Sequence, residues 1–303
     1  MQGRPAVARD AKLPANREKS LSKAAPAASL PSAKRTMNPS RRTFLKTSLA
    51  VSAGAALSQT VGAAGASNSS SRECYDLRAY RLKPGASPTL IETYLEKALI
   101  PALAKRGITQ VGVFSELEVD KKAEKGVAKP DTPLWVLIPY PTLEAFASVS
   151  ADINTDPAVV QAGAAYLNVE KANPAFDRID SWLYLAFRGM PRMELPAFSK
   201  SKTATRVFEM RDYESHSELK ALSKMAMFDD GETQLMRDLG MSPMFFGQAL
   251  SGPNLPHLRY ITSGPVLASH LAGWKKFGPD PRWQKIKDDP RYAGNTSRNT
   301  ARF

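Results

Sequence analysis

Apolar and polar positions alternate in two short stretches of this 303-residue chain, and both stretches carry one pattern: aromatic, acid, aliphatic, Arg, any residue, Tyr. It reads Tyr75-Asp76-Leu77-Arg78-Ala79-Tyr80 and again Phe208-Glu209-Met210-Arg211-Asp212-Tyr213. A period of two is the signature of a β-strand, with successive side chains on opposite faces. The offset from Tyr75 to Phe208 recurs from Gly107 to Gly240, so the strand pattern and a glycine after it are anchored at one spacing. Solenoid periods are much shorter, roughly 20–50 residues, so this repeat reads as a duplicated domain-sized unit.

Periodicity and turn chemistry extend each copy into the same run of elements. In the first, a strand over 74–82 ends at Lys83-Pro84-Gly85, a turn signature. Ile91, Tyr94, Leu95, Ala98 and Ala102 recur at helical spacing up to Arg106-Gly107, where glycine suits a helix C-terminus. A strand over 108–119, a Lys-rich loop over 121–130 and a strand over 134–140 follow. Helical segments over 143–150 and 157–170 then lead to a strand over 182–187. The second copy predicts strand 205–213, helix 218–239, strands 241–250 and 256–262, helix 266–277, and a short last strand near 296–303 whose weak β propensity suggests an incompletely formed edge.

The order βαββαβ is the ferredoxin-like plan. An antiparallel sheet with helices on one face needs its other face covered. The fold class expected is therefore α+β: two tandem ferredoxin-like units, residues 72–188 and 204–303 joined by a linker over 189–203, closing into an intramolecular α+β barrel. Tyr75, Leu77, Phe208 and Met210 are expected beneath the helices. Arg78, Tyr80, Arg211 and Tyr213, with Asp76 and Glu209, are expected to face a chamber between two sheets.

The N-terminal segment 1–66 changes the reading of charge and destination. Ser40-Arg41-Arg42-Thr43-Phe44-Leu45-Lys46, followed by a mildly apolar stretch to Ala63, reads as a twin-arginine export signal. That stretch is too short and polar for a stable membrane span. Ala64-Gly65-Ala66 offers a small-x-small cleavage site, with Val61-Gly62-Ala63 as competitor. A signal of ordinary length starts at Met37, which is the expected translation start; the composition of 1–36 predicts disorder. The partner implied is the twin-arginine translocase, and the destination is the periplasm or the exterior, reached folded. Without its leader the chain keeps 31 Lys/Arg against 27 Asp/Glu, so the net charge falls from +13 to about +4 and a nucleic-acid partner is discounted. The single cysteine, Cys74, excludes an intrachain disulfide.

The residues that carry a resemblance lie mostly in the second copy. They are Phe208 to His216, Met227-Phe228-Asp229-Asp230-Gly231-Glu232, Pro243-Met244-Phe245-Phe246-Gly247, and Gly252-Pro253-Asn254-Leu255-Pro256 with Tyr260, Trp274, Phe277 and Trp283. In these stretches the chain resembles the NIPSNAP family, related to dimeric α+β barrel proteins. The first copy matches through Tyr75–Tyr80 and Gly107–Phe114. The resemblance implies the barrel fold and no settled activity or catalytic set.

Candidate chemistry is sparse. Arg78 with Tyr80 and Arg211 with Tyr213 offer a guanidinium fork beside a phenol, suited to an anionic ligand; Phe246 and Tyr260 complete the candidate lining. The alternative for the arginines is a structural ion pair with Asp76 and Glu209. Glu232 falls in the apolar stripe of Leu222, Met225, Phe228, Leu235 and Leu239, where the first copy has Leu99. It is either an acid–base candidate or a structurally bonded carboxylate. His216 follows the second copy's first strand and is a candidate base or axial haem ligand, or a solvated loop histidine. His216, His257 and His270 show no metal spacing, so no metal is predicted; no cofactor is predicted either, with haem the alternative. Met225, Met227, Met236, Met241 and Met244 read as core filling. The leading function is binding of a small organic or amphiphilic molecule in the chamber. An oxygenase or isomerase using His216, Tyr213 or Glu232, and a homo-oligomeric module, are the other classes.

Overall fold

The computed structural model describes residues 71–303. The signal motif Arg41-Arg42, the cleavage sites and Met37 lie outside the described residues. Strand β1 (Cys74–Arg81) leads into helix α1, made of Thr89–Tyr94, a π-turn over Leu95–Leu99 and Ile100–Lys105. Short strands β2 (Gly112–Phe114), β3 (Leu117–Asp120) and β4 (Lys125–Ala128) follow, then β5 (Leu134–Tyr140). Helices α2 (Leu143–Asp152) and α3 (Pro157–Ala162) precede β6 (Arg178–Ala186). The second half runs β7 (Val207–Glu214), then helix α4, made of Glu218–Met227, a π-turn over Phe228–Glu232 and Thr233–Asp238. It continues with β8 (Phe245–Ser251), β9 (His257–Gly264), α5 (Leu267–Phe277), α6 (Pro281–Lys287) and β10 (Arg298–Arg302).

The duplication is visible in backbone detail. Both long helices widen into a π-turn, and the two turns stand at the repeat's own offset, Leu95 matching Phe228 and Leu99 matching Glu232. Both helices end at a left-handed glycine, Gly107 at φ 80° and Gly240 at φ 72°. A side chain there would strain the backbone, which is why both C-termini carry glycine. Starts are fixed by capping: Thr142 accepts from the Ala145 amide at 3.1 Å and Ser217 from the Lys220 amide at 3.3 Å.

The strands form one eight-stranded antiparallel sheet in the order β10-β7-β9-β8-β6-β1-β5-β2. Two separate facing sheets were the expectation; instead β6 pairs with β8 and fuses the halves. The sheet curls, and beyond its two edge strands the Leu117 amide of β3 donates to the carbonyl of Phe303, just past β10, at 2.7 Å. The expected second strand is broken into β2 and β3, because the Lys-rich loop is itself a hairpin with β4. Helix α6 was not anticipated; Asp280 caps it by accepting from the Arg282 amide. The last strand is fully paired, Arg298 to Arg302 against Glu214 to Met210.

Three apolar clusters result. Ile91, Leu95, Leu99 and Leu103 of α1 pack on Tyr80, Val136, Ile138 and Tyr140 outside the first half. Met225, Phe228 and Leu235 pack on Phe246, Leu258 and Tyr260 outside the second. Inside the curl lie Tyr75, Leu77, Trp135, Leu137, Trp182, Tyr184, Met210, Phe245 and Ile261. Each fully buried large side chain contributes about 1.5–3 kcal/mol by leaving water. Strand alternation is as expected, but the faces are inverted. Tyr75, Leu77, Phe208 and Met210 point into the barrel, while Tyr80 and Tyr213 lie under the helices. The polar residues of the pattern follow their parity, and their charges are neutralised in the helix layer rather than displayed to a hollow.

Candidate ligand-binding chamber

The curl holds two pockets, each about half open to solvent, that share Glu116, Trp135 and Arg302 in their walls. The first, about 320 Å³, is mainly apolar, with Leu77, Phe114, Trp135, Phe208, Met210 and Ile261 among its walls. Phe114 and Phe208, from the two halves, meet edge to face at 5.0 Å between centroids. The second, about 460 Å³, is polar and lined by Trp182, Asp212, His257, Arg259, Thr300 and others. Both volumes fall in the range of small-molecule pockets, roughly 300–1,000 Å³.

Alternation on β7, β9 and β10 builds the polar wall. Asp212, Arg259 and Arg302 are set on neighbouring strands at inward positions, Asp212 opposite both Arg259 and Thr300 in register. Arg259 Nε donates to Asp212 Oδ1. Thr300 Oγ1 donates to Asp212 Oδ2 at 3.3 Å, and Arg302 Nη1 lies 3.6 Å from the same oxygen. The Arg259 guanidinium stands 4.5 Å from the Trp182 ring centre, and that of Arg302 5.0 Å from Trp135. Such faces favour a cation, more so when water is excluded. Trp135 in turn donates from Nε1 to Glu116 at 3.0 Å, and Glu116 also meets Lys129. Arg259 is 4% exposed, and its Nη1 has no hydrogen-bond partner among the described residues. An unmet buried donor costs about 1–3 kcal/mol, and more on a charged group.

His257 and Tyr184 form the chamber's second polar pair, with Tyr184 Oη 3.0 Å from His257 Nε2. His257 Nδ1 lies 3.0 Å from the Asn254 carbonyl, which can only accept, so Nδ1 carries the proton and Tyr184 donates to Nε2. Burial, then the charge of Arg259, pushes the His257 pKa below its ordinary value. Burial pushes the Tyr184 phenol well up, against the pull of Arg259. Both are neutral near pH 7. Of the three histidines, His257 has both nitrogens engaged, His270 Nε2 is bonded to Glu209, and His216 is exposed. Among the described residues no cluster of His, Cys, Asp and Glu is placed to hold a metal.

The residues singled out by the sequence pattern sit elsewhere. Arg78 bonds Asp76 at 2.7 Å, and Asp76 also accepts from Ser181 at 2.8 Å. Arg211 bonds Glu209 at 2.8 Å, and its guanidinium carbon stands over the Trp274 ring of α5, 3.6 Å from the ring centre. Glu209 also accepts from His270 Nε2 at 2.8 Å. Burial raises the Glu209 pKa, but the hydrogen bond from His270 and the Arg211 charge outweigh it, and the carboxylate is held below its ordinary range. Tyr213 and Tyr260 join their hydroxyls at 2.9 Å, and Phe246 stacks on Tyr260. These side chains hold the helix layers to the sheet; Arg78, Tyr80, Arg211, Tyr213, Phe246 and Tyr260 do not line the chamber. Glu232 is bonded to Lys224 in the helix layer rather than free for acid–base work.

Sequence reasoning missed Asp212, Arg259, Arg302, Glu116 and both inward tryptophans. Asp212 was within reach: it is the unspecified position of the repeated pattern, and its counterpart in the first copy is Ala79. Arg259 and Arg302 stand alone in their strands, with no repeat to mark them.

Residues 38–58 match the family model of the twin-arginine translocation (TAT) pathway signal sequence. The chain thus carries a signal for export across a membrane, and among the described residues no helix is long and apolar enough to cross one. No curated protein matches the sequence. Among solved structures, a protein from Lactobacillus acidophilus NCFM provisionally described as a monooxygenase is 8% identical, with a TM-score of 0.46, over 76% of this chain and 92% of its own. An anthrone oxidase-like protein is 9% identical at a TM-score of 0.42, over 77% and 91%. A heme-binding protein from Thermus thermophilus is 10% identical at 0.38, over 76% and 90%. Overlaps this low carry no chemistry over to the present chain.

Proposed function

We propose that this is an exported binding protein of NIPSNAP-like descent that encloses a small organic molecule inside its single-chain barrel. The observation that carries the reading is the chamber itself: an apolar hollow and a polar hollow walled by one curled sheet and sharing Trp135 and Arg302. The NIPSNAP kinship is supported by the repeated strand pattern and by the motifs from Phe208 to Trp283. Folding before export accords with the lone, buried Cys74, which leaves no intrachain disulfide to form outside.

The test is binding of a neutral apolar fluorophore, Nile red, to the purified chain and to Met210→Trp, which fills the apolar hollow. Saturable binding to the parent with at least tenfold weakening in the variant, at an unchanged fold by circular dichroism, supports the reading. Equal binding by both proteins, or none by the parent, overturns it.

A further inference from the structure

We propose that the chamber's ligand is a monoanion with a compact aromatic body, and that its anionic oxygen is taken at the accessible Arg302 guanidinium, with the buried charge of Arg259 behind it. This rests on the chamber being a ligand site and names the class of ligand. Three charged groups meet at the inner polar wall, two guanidiniums and one carboxylate, so the cluster carries one positive charge in excess.

Asp212 cannot supply more, since it already meets Arg259, Thr300 and Arg302. Of the other charges at this end, Arg81 is paired with Asp180 and Glu116 with Lys129, while Asp131 is exposed to water and accepts from the Gly85 amide. Glu214 and Arg298 are cross-strand partners in register. What remains is the accessible Arg302 guanidinium, backed by that of Arg259, which is almost wholly buried and has its Nε committed.

Burying charge without a counter-charge costs several kcal/mol, so a cluster with one spare positive charge is completed by one negative charge, not two. A guanidinium edge is shaped for a carboxylate. The body of the ligand follows from the adjoining hollow, about 320 Å³ walled by Phe114, Phe208, Trp135 and Met210. Aromatic edges and faces there suit a flat ring system rather than a long flexible chain. Trp135 and Arg302 stand in both hollows, so one molecule spanning them presents rings to one end and its anion to the other.

Calorimetric titration and native mass spectrometry of the full chain with 2-naphthoate and with 2-naphthamide, equal in shape and different in charge, test this. The expected result is naphthoate binding at least tenfold tighter than naphthamide. Arg259→Gln and Arg302→Gln should each erase most of that preference. The triple variant Arg259→Gln, Arg302→Gln and Asp212→Asn makes the wall neutral and guards against a fold lost to an unpaired Asp212; it too should bind both probes alike. Equal affinity of the parent for the two probes overturns the anionic class and leaves the binding chamber standing. Binding of neither probe overturns the aromatic-anion class, and the Nile red titration then decides the chamber on its own.

Discussion

Lys224 Nζ lies 2.9 Å from Glu232 Oε2, and both side chains are buried in the helix layer of the second half. At the matching positions of the repeat, the first half has Ile91 and Leu99, both fully buried. One copy of the unit thus solves this position with an ion pair and the other with hydrocarbon. Lys224 is further enclosed by Phe228 at 4.6 Å and Tyr213 at 5.1 Å from its ammonium. Burial raises the Glu232 pKa, and Lys224 pulls it back. Removing one partner strands the other, so Glu232→Leu is expected to cost about 3–5 kcal/mol in urea unfolding. The pair Lys224→Ile with Glu232→Leu copies the first half and is expected to recover most of that loss. A double variant no more stable than the single would show that the ion pair is not interchangeable with the hydrocarbon solution.

Arg211 separates the two faces of the sheet. It is bonded to Glu209 and stands over Trp274, on the side away from the chamber. Arg211→Ala leaves the buried Glu209 with His270 alone and is expected to cost about 3–5 kcal/mol of stability. Naphthoate affinity, measured below the melting transition, should stay within twofold of the parent. A selective loss of affinity at unchanged melting temperature would place Arg211 in the ligand site after all.

The sequence carried the architecture further than the chemistry. Alternation in Tyr75–Tyr80 and Phe208–Tyr213 tells which side chains share a face, and the repeat tells that two equivalent units exist. Neither tells which face is inside. In most sheets polarity decides, because one face meets water, but here both faces are buried. Arg78 and Arg211 are then neutralised locally by Asp76 and Glu209, two residues earlier on the same face. The structural alternative noted for those pairs is the arrangement found. The chamber's own charges come from β7, β9 and β10, brought together by registers that only long-range pairing sets. The Lys-rich stretch illustrates the same limit: its charges read as a loop, but Leu117 to Asp120 pair with Lys125 to Ala128 as a hairpin.

Gly107 and Gly240 give the duplication an energetic test. Each has positive φ, and a Cβ at either would meet nothing within 4 Å. Substitution therefore brings backbone strain without a clash. Gly107→Ala and Gly240→Ala are each expected to cost about 1–2 kcal/mol, the penalty of a left-handed non-glycine residue. Equal losses in urea unfolding fit equivalent helix ends. A loss confined to one site would mean that the two ends bear unequal loads.

His257 sets an acid limit on stability. Its folded pKa lies below the unfolded value of about 6.5. Between those two values the unfolded chain binds more protons than the folded one, so stability rises with pH there. The contribution of neutral His257 is therefore complete above about pH 6.5 and is lost as pH falls through the folded pKa. Protonation would also set a cation beside Arg259 and end the bond accepted from Tyr184. His257→Gln is expected to cost about 1 kcal/mol at neutral pH through a poorer hydrogen bond to Tyr184. More diagnostically, the slope of unfolding free energy between about pH 7 and 5 should be shallower than in the parent, and the difference between the two curves isolates His257 from His270 and Glu209. Parallel curves would show that His257 is not held neutral in the chamber.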